Sequence, residues 1–236
     1  MANGAESAIR DSRWSQWAPV SGLAFIVLFV VGMLLFKTPD KDSTPLQITG
    51  FYADKGNRAQ LIIAAYLLVL AGVFFFWFLA SLRDRLRVLE GGTGRLTSIV
   101  FASGIVFIAM LMVTAGCFMF VPGEITFGDK GVPPDVARVL PDMGWAFLLI
   151  GGAFSAIAMI DAASVLMIRT GLFPRWVAWL GFAAAVVLLI SALVFPIVAL
   201  LVWVGVVSLA LLQGNGVNVP GMGPALAPAN PPTRIT

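Results

Sequence analysis

The sequence contains no histidine and a single cysteine, Cys117, among its 236 residues, and only 11% of the residues are charged. Without histidine there is no His-ligated haem, no His-bearing zinc site, no Ser-His or Cys-His nucleophile pair and no histidine pH switch. One cysteine cannot form an intramolecular disulfide. The charged fraction lies far below the roughly 25% of a typical soluble domain. The composition therefore excludes several enzyme classes and indicates a membrane protein.

The chain contains long apolar runs. Apolar residues make up 59% of the sequence, and the mean hydropathy is +0.95. Residues 143–168 form one such run, with Asp161 as its only charged residue. A helix needs about 20 apolar residues to cross a bilayer. The sequence predicts an all-α, polytopic transmembrane helical bundle with six spans, at residues 18–36, 59–82, 96–121, 143–168, 176–194 and 197–212.

The number of spans depends on residues 176–212, which are 37 apolar residues without a charge. As a single helix they would be about 55 Å long, against a hydrocarbon core of about 30 Å. Two short spans that turn near Phe195-Pro196 fit better, because proline interrupts the helical hydrogen-bond ladder. Five spans is the alternative, since no polar residue marks that turn.

The charges outside the runs predict the orientation. With six spans, the inner segments hold nine basic and four acidic residues, and the outer loops 37–58 and 122–142 hold six and seven. Basic residues gather on the cytoplasmic side of membrane proteins. We therefore expect a multi-pass protein of the plasma (cytoplasmic) membrane with both termini cytoplasmic. Residues 1–17 form the N-terminal segment, and 213–236 form a Gly- and Pro-rich, disordered tail.

A repeat at an offset near 80 residues connects the two halves of the first four spans. Residues 21–26 (SGLAFI) resemble residues 103–108 (SGIVFI), and the loop tripeptide 54–56 is repeated as 129–131. Common order and offset favour a duplicated helix hairpin, whose copies would be related by an axis along the membrane normal.

Asp161 is the first candidate site, because a carboxylate within a span is costly and usually faces protein or water. It predicts a proton- or cation-binding site, with Ser103 and Ser164 as candidate partners. The alternative is a structural carboxylate that bonds to one of these serines or extends toward Arg83 or Arg169.

Two further patterns have simpler interpretations beside the functional ones. A stripe of small residues in span four predicts close helix packing, and its members are Gly151, Ser155, Ala158 and Ala162. Arginines gathered at the inner ends of spans two and three are candidate contacts for anionic lipid headgroups, although topology alone would also explain them. These are Arg83, Arg85, Arg87 and Arg95.

Three features occur together between residues 14 and 212. Trp14 and Trp17 precede the first span, the first outer loop contains Phe51-Tyr52-Ala53, and span two ends in Leu-Arg-x-Arg-Leu-Arg at 82–87. This pattern resembles a group of small bacterial multi-spanning membrane proteins without an assigned activity. The resemblance implies a six-helix membrane fold and transfers no catalytic residue.

The sequence shows no catalytic motif, no metal-ligand spacing and no cofactor signature, so we expect no enzyme. The leading hypothesis is a helical-bundle protein that acts through contacts with membrane lipids, a second copy of the chain or another membrane protein. The alternative is a small transporter or channel subunit that uses Asp161. Nucleic acid is not an expected partner, because the basic residues lie at the ends of apolar runs.

Overall fold

The computed structural model of the chain describes residues 20–40, 42–128, 131–171, 174–190 and 197–214. Within these ranges the regular structure is helical, without strands. The predicted N-terminal segment 1–17 and the predicted turn at 195–196 lie outside the described residues. So does the tail beyond residue 214.

Eight α-helices follow one another in the described part of the chain. They are α1 (Val20–Leu35), α2 (Pro45–Ala53), α3 (Lys55–Glu90), α4 (Arg95–Phe127), α5 (Pro134–Ala146), α6 (Ala153–Thr170), α7 (Arg175–Ile190) and α8 (Ile197–Gly214). A π-helical segment, Phe147–Gly152, joins α5 to α6 without a break. These elements therefore form one continuous helix, Pro134–Thr170.

Three helices are long and apolar enough to cross a membrane: Lys55–Glu90, Arg95–Phe127 and Pro134–Thr170. Helices α1, α7 and α8 are apolar but shorter. The predicted helical fold class is confirmed in this coarse form, as a helical chain with membrane-length apolar helices.

Helix α2 lies within the loop predicted at residues 37–58, and its first turn is set by local hydrogen bonds. The Thr44 N–H donates to Gln47 Oε1 over 2.8 Å, and the Gln47 N–H donates to Thr44 Oγ1 over 3.4 Å. This is a capping box, and it satisfies amides that a helix start leaves free. Asp54 then caps α3 by accepting the Asn57 N–H at 2.8 Å. Three polar residues of this loop, Thr44, Gln47 and Asp54, are thus helix caps.

The connection between α4 and α5 is shorter than the predicted loop 122–142. Helix α4 continues through Pro122 to Phe127, and α5 already begins at Pro134. Proline inside a helix removes a hydrogen bond, yet Pro122 is buried near the helix end and does not stop it. The reason is packing, because Val121 at the end of the predicted third span and Ala137 of α5 share a small core with α2 and α3.

Phenylalanine rings form the centre of the main core. Phe25 of α1 lies 4.7 Å from Phe75 of α3, which lies 5.1 Å from Phe107 of α4, all measured between ring centroids. All three side chains are buried. The aromatic run of α3 therefore divides, with Phe75 and Phe78 inside and the other rings exposed.

The two predicted hairpins share one order of elements. An apolar helix, a short helix and a second apolar helix follow each other in α1–α2–α3 and, with the last two joined by the π segment, in α4–α5–α6. This order is what a duplicated hairpin entails, and the duplication itself stays a prediction.

Candidate functional site

One face of the continuous helix Pro134–Thr170 points away from the rest of the bundle. Its large side chains are open, with exposed fractions of 63% at Ile150 and 54% at Phe154. The spacing of three and four residues is that of one helix face. We call this face the outward stripe, and its members are Met143, Phe147, Ile150, Phe154, Ala158, Asp161, Val165 and Ile168.

The opposite side of α6 explains why the stripe faces outward. Ala156, Met159, Ile160 and Ala163 are buried there, and α6 packs mainly against α4 and α7. These small and flexible side chains let the helices approach closely. The rotation of α6 about its axis is thereby fixed, and Asp161 lies on the face of α6 that points away from the bundle.

Asp161 is partly exposed and lies between Ala158 and Val165 on the outward stripe. In the described ranges it makes no hydrogen bond and no ion pair. The predicted bond from Ser164 is not formed, because that hydroxyl is fully buried and has no hydrogen-bond partner. Ser103 on α4 is partly exposed and does not bond to the carboxylate either. A shared ion site of these three residues stays a prediction without a contact to support it.

Ser164 instead lies at the crossing of α6 with α7. Its Oγ contacts Gly181 so closely that it occupies the space a β-carbon would need. The indole nitrogen of Trp203, on α8, lies 3.0 Å from that same position. Both side chains are fully buried, and within the described part of the chain neither polar atom has a hydrogen-bond partner. Three helices therefore meet around one glycine.

Ser208 repeats this arrangement at the other side of α8. Its hydroxyl takes the space of a β-carbon on Gly22 of α1, and Phe78 of α3 is 2.9 Å from the same point. Sequence reasoning missed Trp203 and Ser208. Their only signal is a polar group in an apolar run, which does not reveal its partner.

The predicted small-residue stripe divides between two environments. A β-carbon on Gly151 would lie 2.6 Å from the sulfur of Met110 on α4, so this residue packs inside. Ala162 is also buried, whereas Ala158 is exposed. Small residues thus serve packing at Gly151 and Ala162, whereas Ala158 between them leaves the outward stripe shallow beside Asp161.

The predicted arginine cluster lies at the end of α3 and the start of α4. The Arg83 guanidinium stands 4.8 Å from the centre of the Phe101 ring, a cation–π contact. Arg87 and Arg95 are exposed, and Arg85 is partly buried. Two exposed cations remain available to anionic headgroups, so lipid contact stays a prediction.

Glu90 links the same two helices. Its carboxylate accepts the N–H groups of Leu96 and Thr97, each over 2.8 Å, and also the Thr97 hydroxyl. A carboxylate suits the free amides and the positive end of a helix start. Sequence reasoning assigned no role to this residue, because it lies five residues before the helix that it caps.

Helix α2 closes the end of the bundle at which α3 begins and α4 ends. Arg58 of α3 donates to the carbonyls of Tyr52 and Ala53, each over 2.7 Å, and to Thr126 Oγ1 of α4 over 3.2 Å. Burial of Tyr52 beneath this arginine raises the pKa of its phenol to about 12, through desolvation. This end of the bundle is therefore a packed cap.

No group of three cysteine, aspartate or glutamate side chains gathers to hold a metal ion in the part of the chain that the structure describes. Comparisons with protein-family models, curated proteins and solved structures found no match for this chain. The resemblance to small bacterial multi-spanning proteins stays a prediction.

Proposed function

We propose that the chain is an integral protein of the plasma membrane that acts by contact with membrane partners, and that it is not an enzyme. The single observation behind this proposal is the outward stripe, a continuous face between Met143 and Ile168 whose members are exposed or half-buried and which carries one carboxylate. Lipid tails suit its apolar members, but they do not suit a charge. A protein partner would suit both.

Six spans with both termini cytoplasmic belong to this proposal. The three long helices supply three of them, and α1, α7 and α8 supply the others as short spans. Helix α7 has 16 residues, or about 24 Å by the helical rise, so it would cross with tilt or local thinning of the bilayer. The arginines at the inner ends of α3, α4, α6 and α7 support the orientation.

A transporter or channel subunit is the other candidate, and Asp161 would be its ion site. It has less support from the geometry, because Asp161 does not contact Ser103 or Ser164. The buried polar groups of Ser164 and Trp203 surround Gly181 instead.

Photo-crosslinking from the outward stripe tests the proposal. A benzophenone amino acid at Phe154, which is 54% exposed on the stripe, is compared with the same probe at Val186, which is 54% exposed on α7. Illumination in membranes of the source organism should give a discrete protein adduct from Phe154 and only lipid adducts from Val186. Lipid adducts alone at both positions would refute partner contact at this face.

A further inference from the structure

We infer that the outward stripe binds a transmembrane helix of another protein that carries one lysine or arginine at the depth of Asp161. This inference rests on the proposed function and specifies the partner. The face is preformed between Met143 and Ile168, since six of its eight members are exposed and the other two, Asp161 and Val165, are half-buried. Its single carboxylate defines which kind of helix complements it.

The chain itself leaves the carboxylate without a counter-charge. Asp161 makes no ion pair among the described residues, and Arg169 lies eight residues further along the same helix. Eight residues correspond to about 12 Å, which is beyond a direct contact. In hydrocarbon a carboxylate without a counter-charge is costly. A cation from outside would offset this cost.

A second copy of the chain does not supply that cation. Every lysine and arginine of the sequence lies outside the six predicted apolar spans, or within a turn of their ends. Two copies that meet at the stripe would place carboxylate beside carboxylate. Like charges at close range repel, whereas opposite charges give specificity and register. Charge complementarity therefore favours a different protein.

The shape of the outward stripe around Asp161 also suits a basic helix. Ala158, one turn before Asp161, is exposed and small, while Phe154 stands out one turn further on. The face is thus shallow at Ala158, beside the carboxylate, and raised at Phe154, one turn farther from it. A helix can approach closely where small residues line the contact, and the stem of a lysine or arginine can lie across Ala158 to reach Asp161.

The test uses a labelled 23-residue leucine-alanine helix that carries one lysine, and the purified full chain in phosphatidylcholine vesicles. Energy transfer between the two labels measures binding. The lysine is placed about 12 Å from one end of the peptide, or at its last residue, and a third peptide has leucine in its place. We expect the matched lysine peptide to bind about tenfold more tightly than the other two, as one polar contact within a membrane allows.

Asp161→Asn should abolish that preference. Asp142→Asn is the matched control, because it removes the same charge from the same continuous helix one residue before the stripe, at an exposed position. This control should keep the full preference. If Asp161→Asn does not fold, the three peptides still decide the question on the unaltered chain.

Equal binding of the three peptides would overturn the inference. So would a preference that survives in Asp161→Asn, or transfer between two copies of the chain that depends on Asp161. Protein adducts at Phe154 together with equal peptide binding would refute the basic partner and leave the proposed function standing. Lipid adducts alone would refute the proposed function itself.

Discussion

The hydroxyl of Ser164 on α6 occupies the space that a β-carbon would need on Gly181 of α7. This contact brings the two helices together, and the indole of Trp203 on α8 closes it from a third side. The crossing therefore depends on glycine for room rather than for backbone freedom. It also directs the Ser164 hydroxyl into the bundle, away from Asp161.

Gly181→Ala should destabilise the bundle by about 1–3 kcal/mol, because the added methyl overpacks a buried crossing. Thermal unfolding in detergent micelles measures the effect. Gly116→Ala is the control, since a β-carbon there meets nothing within 4 Å and alanine is the better helix former. Adding Ser164→Ala to Gly181→Ala should recover part of the loss. Equal melting temperatures for Gly181→Ala and Gly116→Ala would contradict the crossing.

Because of Tyr52, the stability of the cap formed by α2 depends on alkaline pH. Its buried phenol has a pKa of about 12, against 10.0 for an unburied tyrosine. The folded state therefore holds this proton more tightly than the unfolded state, and the associated stability is complete below pH 10. As the pH rises from 10 to 12, that stability is lost.

We expect α2 to lose protection from amide exchange across this interval, while α3 keeps its protection at mid-helix. Tyr52→Phe has no phenolic proton to lose, so its α2 should exchange at a rate that shows no additional step above pH 10. Identical pH profiles for the two proteins would argue against a buried phenol at this position.

The class of fold was predictable from sequence because apolar runs report burial in lipid directly. Helix ends were less so. The loop predicted at 37–58 contains the Thr44–Gln47 capping box, a local signal within a polar segment. The sequence predicts a loop that begins at Pro122, yet contacts of distant residues keep α4 helical beyond it.

The orientation of Asp161 was not predictable for a different reason. A straight helical wheel puts Gly151 and Ala158 on one face, since seven residues are nearly two turns. In the structure Gly151 packs on Met110 while Ala158 is exposed. Only the packing against α4 and α7 decides which face is outside.

Glu90→Gln should weaken the junction between α3 and α4 by about 1 kcal/mol, the usual cost of a lost cap. The amide has one acceptor oxygen in place of two, and it meets the amide donors of Leu96 and Thr97 without a charge. Asp84→Asn is the matched control, because it removes a charge from an exposed position of the same helix. Amide exchange in the first turn of α4 should accelerate in Glu90→Gln alone. Acceleration in both variants would mean that net charge, and not the cap, holds this junction.

Six spans with cytoplasmic termini make a prediction that cysteine labelling can check. Cys117→Ala provides a cysteine-free background, to which Asp42→Cys or Thr93→Cys is added, both at exposed positions. A membrane-impermeant maleimide should label Asp42→Cys in intact cells, and Thr93→Cys only after the membrane is opened. An epitope at the C-terminus should be protected in intact cells if α7 and α8 both cross, and accessible if residues 176–212 cross once. Labelling of Thr93→Cys but not Asp42→Cys in intact cells would reverse the orientation, and the arginines at the ends of α3 and α6 would then lie outside.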